Sequence, residues 1–267
     1  AVVYCLGGTI LSIAAAALDR RRADRLQTMT LLAAQTDFSD AGELMMFIDE
    51  SQIAVLEDLM NAQGYLDARQ MAGAFYALRV NDLLWSRITE RYMLGMRRPA
   101  SDIDAWLSDA TRMPARMHSQ YLRWLFLENR LAQGALEVEG EAVALKDLCT
   151  PIFAVGAEND HIAPWRSVYK IALFAGADTT FVLSGGGHNS AIVSPPGKPR
   201  SYFRTHRVGS CGEFIDPEEW LPSAPYHEGS WWPKWRAWLD AHSAAERAPP
   251  PSMGAPARRV VPSAAMA

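Results

Sequence analysis

Val2-Val3-Tyr4-Cys5-Leu6-Gly7-Gly8-Thr9 runs without a break into the alanine-rich stretch Ile10–Leu18. Ala1 to Tyr4 reads as the end of a buried strand, Gly7-Gly8 belongs to a tight turn, and Thr9 to Leu18 favours helix. A cysteine between strand and helix stands where a strained turn can lift its sulfur out of a sheet. The helix N-terminus behind it favours thiolate over thiol and offers the Leu6 N–H to a developing oxyanion. Cysteine in an apolar segment is also a small buried hydrophobe, so this octapeptide alone leaves both readings open.

Outward from it, Gln27–Ala34, Ile152–Gly156 and Thr179–Ser184 are apolar runs of strand length bounded by proline, glycine or polar residues. Strands separated by long helical intervals predict a parallel α/β sheet. Between Asp37 and Asn129 no strand is expected. Leu44–Met60, Ala68–Leu78, Asn81–Leu94 and Met113–Arg130 carry apolar residues at helical spacing instead. After Pro195-Pro196 the chain reads as irregular until Trp231, Trp232, Trp235 and Trp238, whose spacing predicts a docked terminal helix. The expected organisation is a strand, elbow, helix and strand over 1–36, a helical insertion over 37–130, the rest of the core over 131–243, and a disordered Ala/Pro/Ser/Arg tail over 244–267.

The 267 residues suffice for a large core, and 49% hydrophobic with 21% charged residues is an ordinary globular balance. A net charge of −4 leaves no basic excess for phosphates, so no nucleic-acid partner is expected. No apolar run reaches the roughly 18–20 residues of a membrane-spanning helix. Cys5, Cys149 and Cys211 form no C-x-x-C pair, which points to a reducing, cytoplasmic setting. Neither a His-Glu-x-x-His motif nor paired Cys/His spacing occurs, and no metal or cofactor is expected. The first residue, Ala1, already lies inside an apolar run, so the chain reads as the back part of something longer.

Two further segments carry chemistry. Gly156-Ala157-Glu158-Asn159-Asp160-His161 places carboxylates at the end of the Ile152 strand, where one can orient an imidazole, although such residues also make ordinary turns and caps. Ser184-Gly185-Gly186-Gly187-His188-Asn189 sets a histidine on a glycine-rich loop after the next strand; no P-loop Lys-Ser/Thr follows the glycines. Nucleophile, acid and histidine thus occur in the order imposed by the α/β-hydrolase fold, each beyond a strand's C-terminal end. Cys5, Asp160 and His188 are therefore expected to form a Cys-His-Asp triad, with the insertion as a cap.

With those residues in view, the chain resembles the C-terminal, catalytic part of poly(3-hydroxyalkanoate) synthases. The resemblance runs from the Cys5 box through Asp37-Phe38-Ser39-Asp40, Arg79-Val80-Asn81-Asp82, Asp109-Ala110-Thr111-Arg112-Met113-Pro114 and Leu127-Glu128-Asn129-Arg130. It continues through Glu158–Trp165, Gly187-His188 and Ser230-Trp231-Trp232-Pro233. It implies the C-terminal part of an α/β-hydrolase fold with a helical cap, the strands before the nucleophile strand lying outside this chain. It also implies a cysteine acyl-enzyme that polymerises (R)-3-hydroxyacyl-coenzyme A into polyester, releasing coenzyme A. Cys5 would be the nucleophile, Asp160 and His188 the acid and base, and Leu6 an oxyanion donor. On the residues themselves, Arg79 is a candidate for a coenzyme A contact through charge and His161, adjacent to Asp160, for a place near the entrance; a cap salt bridge and a surface histidine are the alternative readings. A homodimer through the cap, with Trp106 at its contact, and a place on cytoplasmic polyester granules are further implications. One departure stands out: the family's G-x-C-x-G-G box begins with glycine, and this chain has Val3 there. Two rival readings remain, a cysteine α/β-hydrolase that gives its acyl group to water and a non-catalytic granule-binding subunit.

Overall fold

A computed structural model describes residues 1–21, 25–71, 73, 85–96, 102, 105–106, 109, 111–210, 214–244, 246 and 249. Ten strands occur among them: β1 (Val2–Tyr4), β2 (Met29–Leu32), β3 (Tyr65–Leu66), β4 (Met113–Pro114), β5 (Leu136–Val138), β6 (Glu141–Val143), β7 (Ile152–Ala157), β8 (Thr179–Ser184), β9 (Tyr202–Val208) and β10 (Tyr226–Glu228). Six form one sheet in the order β1-β2-β7-β8-β9-β10. Its first four strands are parallel, and β9 and β10 each run antiparallel to their inner neighbour. β7 and β8 are buried at every residue, so both faces of the sheet are covered and the runs read as continuously apolar.

One face is covered by α1 (Leu6–Arg20), whose Ser12, Ala15 and Ala16 are buried. Small residues are needed there because helix and sheet approach closely: a Cβ on Gly8 would lie 2.3 Å from the Cβ of Ala34. Trp220 is fully buried on this side against Trp165, Tyr169 and Phe181. The opposite face carries the terminal helix Trp232–Ala241, with Trp231, Trp235 and Trp238 packed on Phe153, Val155 and Val182. The tryptophan spacing therefore marks a docked helix, as the periodicity predicts.

The segment after β2 leaves and returns at one place. Asn129 Nδ2 donates to Asp37 Oδ1 at 3.0 Å and Phe38 N–H donates to Asn129 Oδ1 at 3.0 Å. Lys170 closes the clasp by donating to Asp37 Oδ2 at 3.1 Å and Ser39 Oγ at 2.8 Å. Burial alone would raise the Asp37 carboxyl's pKa, but the hydrogen bonds from Ser39, Lys170 and Asn129 together hold it below the usual carboxylate value. Between the two ends, α2 (Glu50–Gln63) packs on α3 (Ala115–Tyr121), which continues as a π-helical turn over Leu122–Leu127. Arg123 grips Glu57 from α2 through Nε at 2.7 Å and Nη2 at 2.8 Å.

Several sequence expectations need correction. The helix expected over Leu44–Met60 is interrupted: a 3₁₀ turn covers Glu43–Phe47, and α2 starts afresh because Asp49 accepts the Gln52 N–H at 2.8 Å as an N-cap. Met113–Pro114 pairs with Tyr65–Leu66 as a short ribbon, so this segment contains a strand pair and α3 starts only at Ala115. The sheet is mixed rather than parallel, and the stretch expected to be irregular after Pro195-Pro196 holds β9. Arg204, His206 and Arg207 obscure that strand, which lies between β8 and β10, although its burial alternates in part with the strand period. Of the helix expected over Asn81–Leu94, Ser86–Ile88 is α-helical and continues as a π-helical turn over Thr89–Met93, whereas its start at 81–84, most of the helix expected over Ala68–Leu78 and most of the tail over 244–267 lie outside the described residues. Among the described residues no helix is long and apolar enough to cross a membrane.

Candidate active site

Cys5 occupies the corner between β1 and α1 with φ 53° and ψ −126°, a conformation that costs a non-glycine residue roughly 1–3 kcal/mol. Two anchored elements hold it there. The Cys5 N–H donates to the Leu32 carbonyl at 2.8 Å, and its own carbonyl accepts the Gly8 N–H at 2.8 Å. α1 begins at Leu6, so the Leu6 N–H belongs to the first turn, whose amides have no partner inside the helix.

Parallel register brings the other two residues alongside. β7 and β8 pair from Ile152↔Thr179 to Ala157↔Ser184, so the loops that follow them emerge side by side. Asp160 Oδ2 lies 2.6 Å from His188 Nδ1, while its Oδ1 accepts the Ile162 and Ala163 N–H groups at 2.9 Å each. One oxygen is thus fixed by backbone and the other orients the imidazole through Nδ1, leaving Nε2 as the ring's second nitrogen, and the ring lies close enough to Cys5 for the two to influence each other electrostatically. Burial would lower the His188 pKa, but the hydrogen bond to Asp160, the interaction with Cys5 and the charges of both outweigh it and push it up to about 9.

The glycines of the histidine loop divide their work. A Cβ on Gly185 would lie 2.5 Å from the Tyr202 ring, and Gly186 adopts φ 120°, whereas Gly187 has room for a side chain. The loop is further fastened from below: Trp231 Nε1 donates to the Ala191 carbonyl at 2.9 Å and Trp232 Nε1 to the Ile192 carbonyl at 3.0 Å. From the nucleophile side, the Tyr4 hydroxyl donates to the Asn189 side chain, and its ring lies 5.0 Å from the His188 ring. Burial first, and then the neighbouring Cys5 and Asp160, raise the Tyr4 pKa well above the ordinary phenol, so it remains a donor.

Above Cys5 lies a cavity of about 240 Å³. Its floor comes from the core through Cys5, Leu6, Thr9, Ala33 and Gln35, and its walls come mainly from the insertion through Leu44, Phe47, Leu56, Met71, Tyr121 and Phe126. The lining is predominantly apolar, with a few polar groups among it.

Of the residues expected from sequence, Cys5, Asp160 and His188 come together, and Leu6 lines the cavity beside Cys5. His161 follows Asp160 but is absent from the cavity lining; its carbonyl accepts the Glu43 N–H at 3.0 Å, tying the acid loop to the insertion. Arg79 lies outside the described residues. Trp106 is half-exposed, with its ring 6.3 Å from that of Tyr4. Sequence reasoning missed Tyr4, Asn189 and His118. Tyr4 and Asn189 adjoin the two reactive residues, which is the signal that was available; His118 lies on an apolar helix face, where histidine ordinarily reads as core.

The alpha/beta hydrolase fold family model matches residues 1–195. The "Poly(3-hydroxyalkanoate) polymerase subunit PhaC" of Rhizobium etli is 40% identical over 91% of this chain and 37% of its own length. The "Poly(3-hydroxyalkanoate) polymerase" of Methylorubrum extorquens is 41% identical over 92% of the chain and 40% of its own length. The PhaC polymerase subunit of Cupriavidus necator is 34% identical over 94% and 43% respectively. The chain therefore spans about two-fifths of the length of these relatives.

Proposed function

The chain belongs to the alpha/beta hydrolase fold family, and from its similarity to poly(3-hydroxyalkanoate) polymerases we propose that it is the acyl-transfer part of an enzyme that builds polyester from (R)-3-hydroxyacyl-coenzyme A. The observation that carries this reading is the meeting of Cys5, His188 and Asp160 beneath a largely apolar cavity.

His188 takes the thiol proton of Cys5 while Asp160 holds its Nδ1 side. The sulfur attacks the thioester carbonyl, and the developing oxyanion faces the Leu6 N–H. As the bond to coenzyme A breaks, the departing thiolate takes the proton from His188. The acyl group then rests on Cys5 as a thioester. The 3-hydroxyl of another unit or of the growing chain gives its proton to His188 and attacks; an ester bond forms and the Cys5 sulfur leaves, recovering that proton. An apolar cavity suits a cycle that must deliver the acyl group to an alcohol before water reaches it.

Arg79 as a coenzyme A contact and His161 near the entrance belong to the same reading. So do dimerisation through the cap and residence at a granule surface in the cytoplasm. The exposed Tyr92, Met93, Leu94 and Trp106 support an apolar contact on the insertion side.

The test is intact-protein mass after mixing the full natural polypeptide with (R)-3-hydroxybutyryl-coenzyme A, with Cys5→Ala as control. An adduct of hydroxybutyryl units that grows in steps and is lost in the control is expected. Free hydroxybutyrate without polymer would instead assign a cysteine hydrolase, and the absence of any adduct would favour the non-catalytic reading.

A further inference from the structure

One polar side chain in the cavity is left over by this mechanism. His118, on α3, is only 7% exposed, and its Nδ1 is buried without a protein hydrogen-bond partner. It lines the same cavity as Cys5, one helical turn before Tyr121, whose ring centre lies 6.4 Å away. The surrounding wall is mainly apolar, through Leu44, Phe47 and Phe126, and the polar side chains of Thr9, Gln35 and Gln70, which share the lining, are bonded elsewhere and give Nδ1 no hydrogen bond. Desolvation lowers the His118 pKa, so the ring is neutral near pH 7 and has one nitrogen to donate and one to accept.

An orphaned polar atom in an apolar cavity next to the nucleophile makes sense if the bound molecule supplies the partner. An acyl group on Cys5 must lie in this cavity, and a simple fatty acyl group has no polar atom beyond its carbonyl. A 3-hydroxyacyl group has one, placed two carbons away from that carbonyl. Resting on the function proposed above, we propose that His118 is a specificity-determining residue that hydrogen-bonds the hydroxyl of the acyl group held on Cys5. A substrate lacking the hydroxyl leaves the imidazole unpaired and is disfavoured, whereas added methylenes discriminate only weakly.

The experiment compares the initial rate of Cys5 acylation by (R)-3-hydroxybutyryl-coenzyme A and by butyryl-coenzyme A, read by intact mass on the full natural polypeptide. The unaltered protein is expected to prefer the hydroxylated thioester by about tenfold or more. His118→Leu is expected to reduce the preference to about twofold or less while butyryl labelling persists, which reports an intact site. If His118→Leu loses butyryl labelling as well, His118→Phe, which retains a planar ring, is read in the same way. Retention of the full preference in a variant that still labels, or no preference in the unaltered protein, overturns the role of His118 alone. No labelling by either thioester overturns the proposed function, and the role of His118 with it.

Discussion

Val3 and Gly7 share one small volume beneath the Cys5 elbow: a Cβ on Gly7 would stand 3.6 Å from the Val3 Cβ and 3.9 Å from its Cγ1. Those are ordinary contact distances, so the β-branched residue fits where the related box has glycine. The steric demand falls one residue later, at Gly8. Val3→Gly is therefore expected to leave the Cys5 acylation rate within about threefold and to lower stability by about 1 kcal/mol through strand entropy and lost packing. Thermal melts and acylation rates check this. Gly8→Ala, by contrast, drives its new methyl into Ala34 and should cost about 1–3 kcal/mol, whereas Gly7→Ala should be tolerated.

Strain at Cys5 makes a separate prediction. Cys5→Ala and Cys5→Gly both remove the sulfur, but only glycine relaxes at φ 53° and ψ −126°. Cys5→Gly should be more stable than Cys5→Ala by about 1–2 kcal/mol in urea unfolding. Equal stabilities would show that the elbow stores no strain.

Protonation of His188 supplies a pH signature. Its pKa in the folded protein is about 9 against an ordinary 6.5, so its contribution to stability is complete below about pH 6.5 and is lost as pH rises through 9. Asp160→Asn removes the carboxylate partner and should move the imidazole titration back toward 6.5, flattening that loss. Unfolding free energies between pH 6 and 9.5, with histidine NMR titration, measure both effects. Acylation by the same variant should fall by about 10²–10⁴-fold, because the ring loses its orienting partner.

Trp231 acts on the site from beneath it. Trp231→Phe keeps most of the apolar area but withdraws the Nε1–H that the Ala191 carbonyl accepts at 2.9 Å. Stability should fall by about 1–3 kcal/mol. Amide exchange across residues 185–194 should quicken, and acylation should slow without loss of the fold. A loop with unchanged exchange would mean that Ser184, whose hydroxyl also donates to Ala191 at 3.0 Å, suffices to hold it.

Local chemistry written in the sequence determined the strand, elbow and helix around Cys5, the buried runs Ile152–Gly156 and Thr179–Ser184, the order Cys5, Asp160, His188, and the terminal tryptophan helix. Each depends on periodicity, turn residues or chain order, which are readable within a short window. Tertiary structure alone decided that Ala157 pairs with Ser184, which sets the acid and histidine loops edge to edge, and that Asn129 returns to Asp37. It decided that Val3 finds space over Gly7 while Gly8 finds none against Ala34, and that His118 turns toward the cavity. Apart from Val3 and Gly7, these relations join residues far apart in the chain. Their geometry follows from strand register and close packing of distant elements, and no local propensity encodes either.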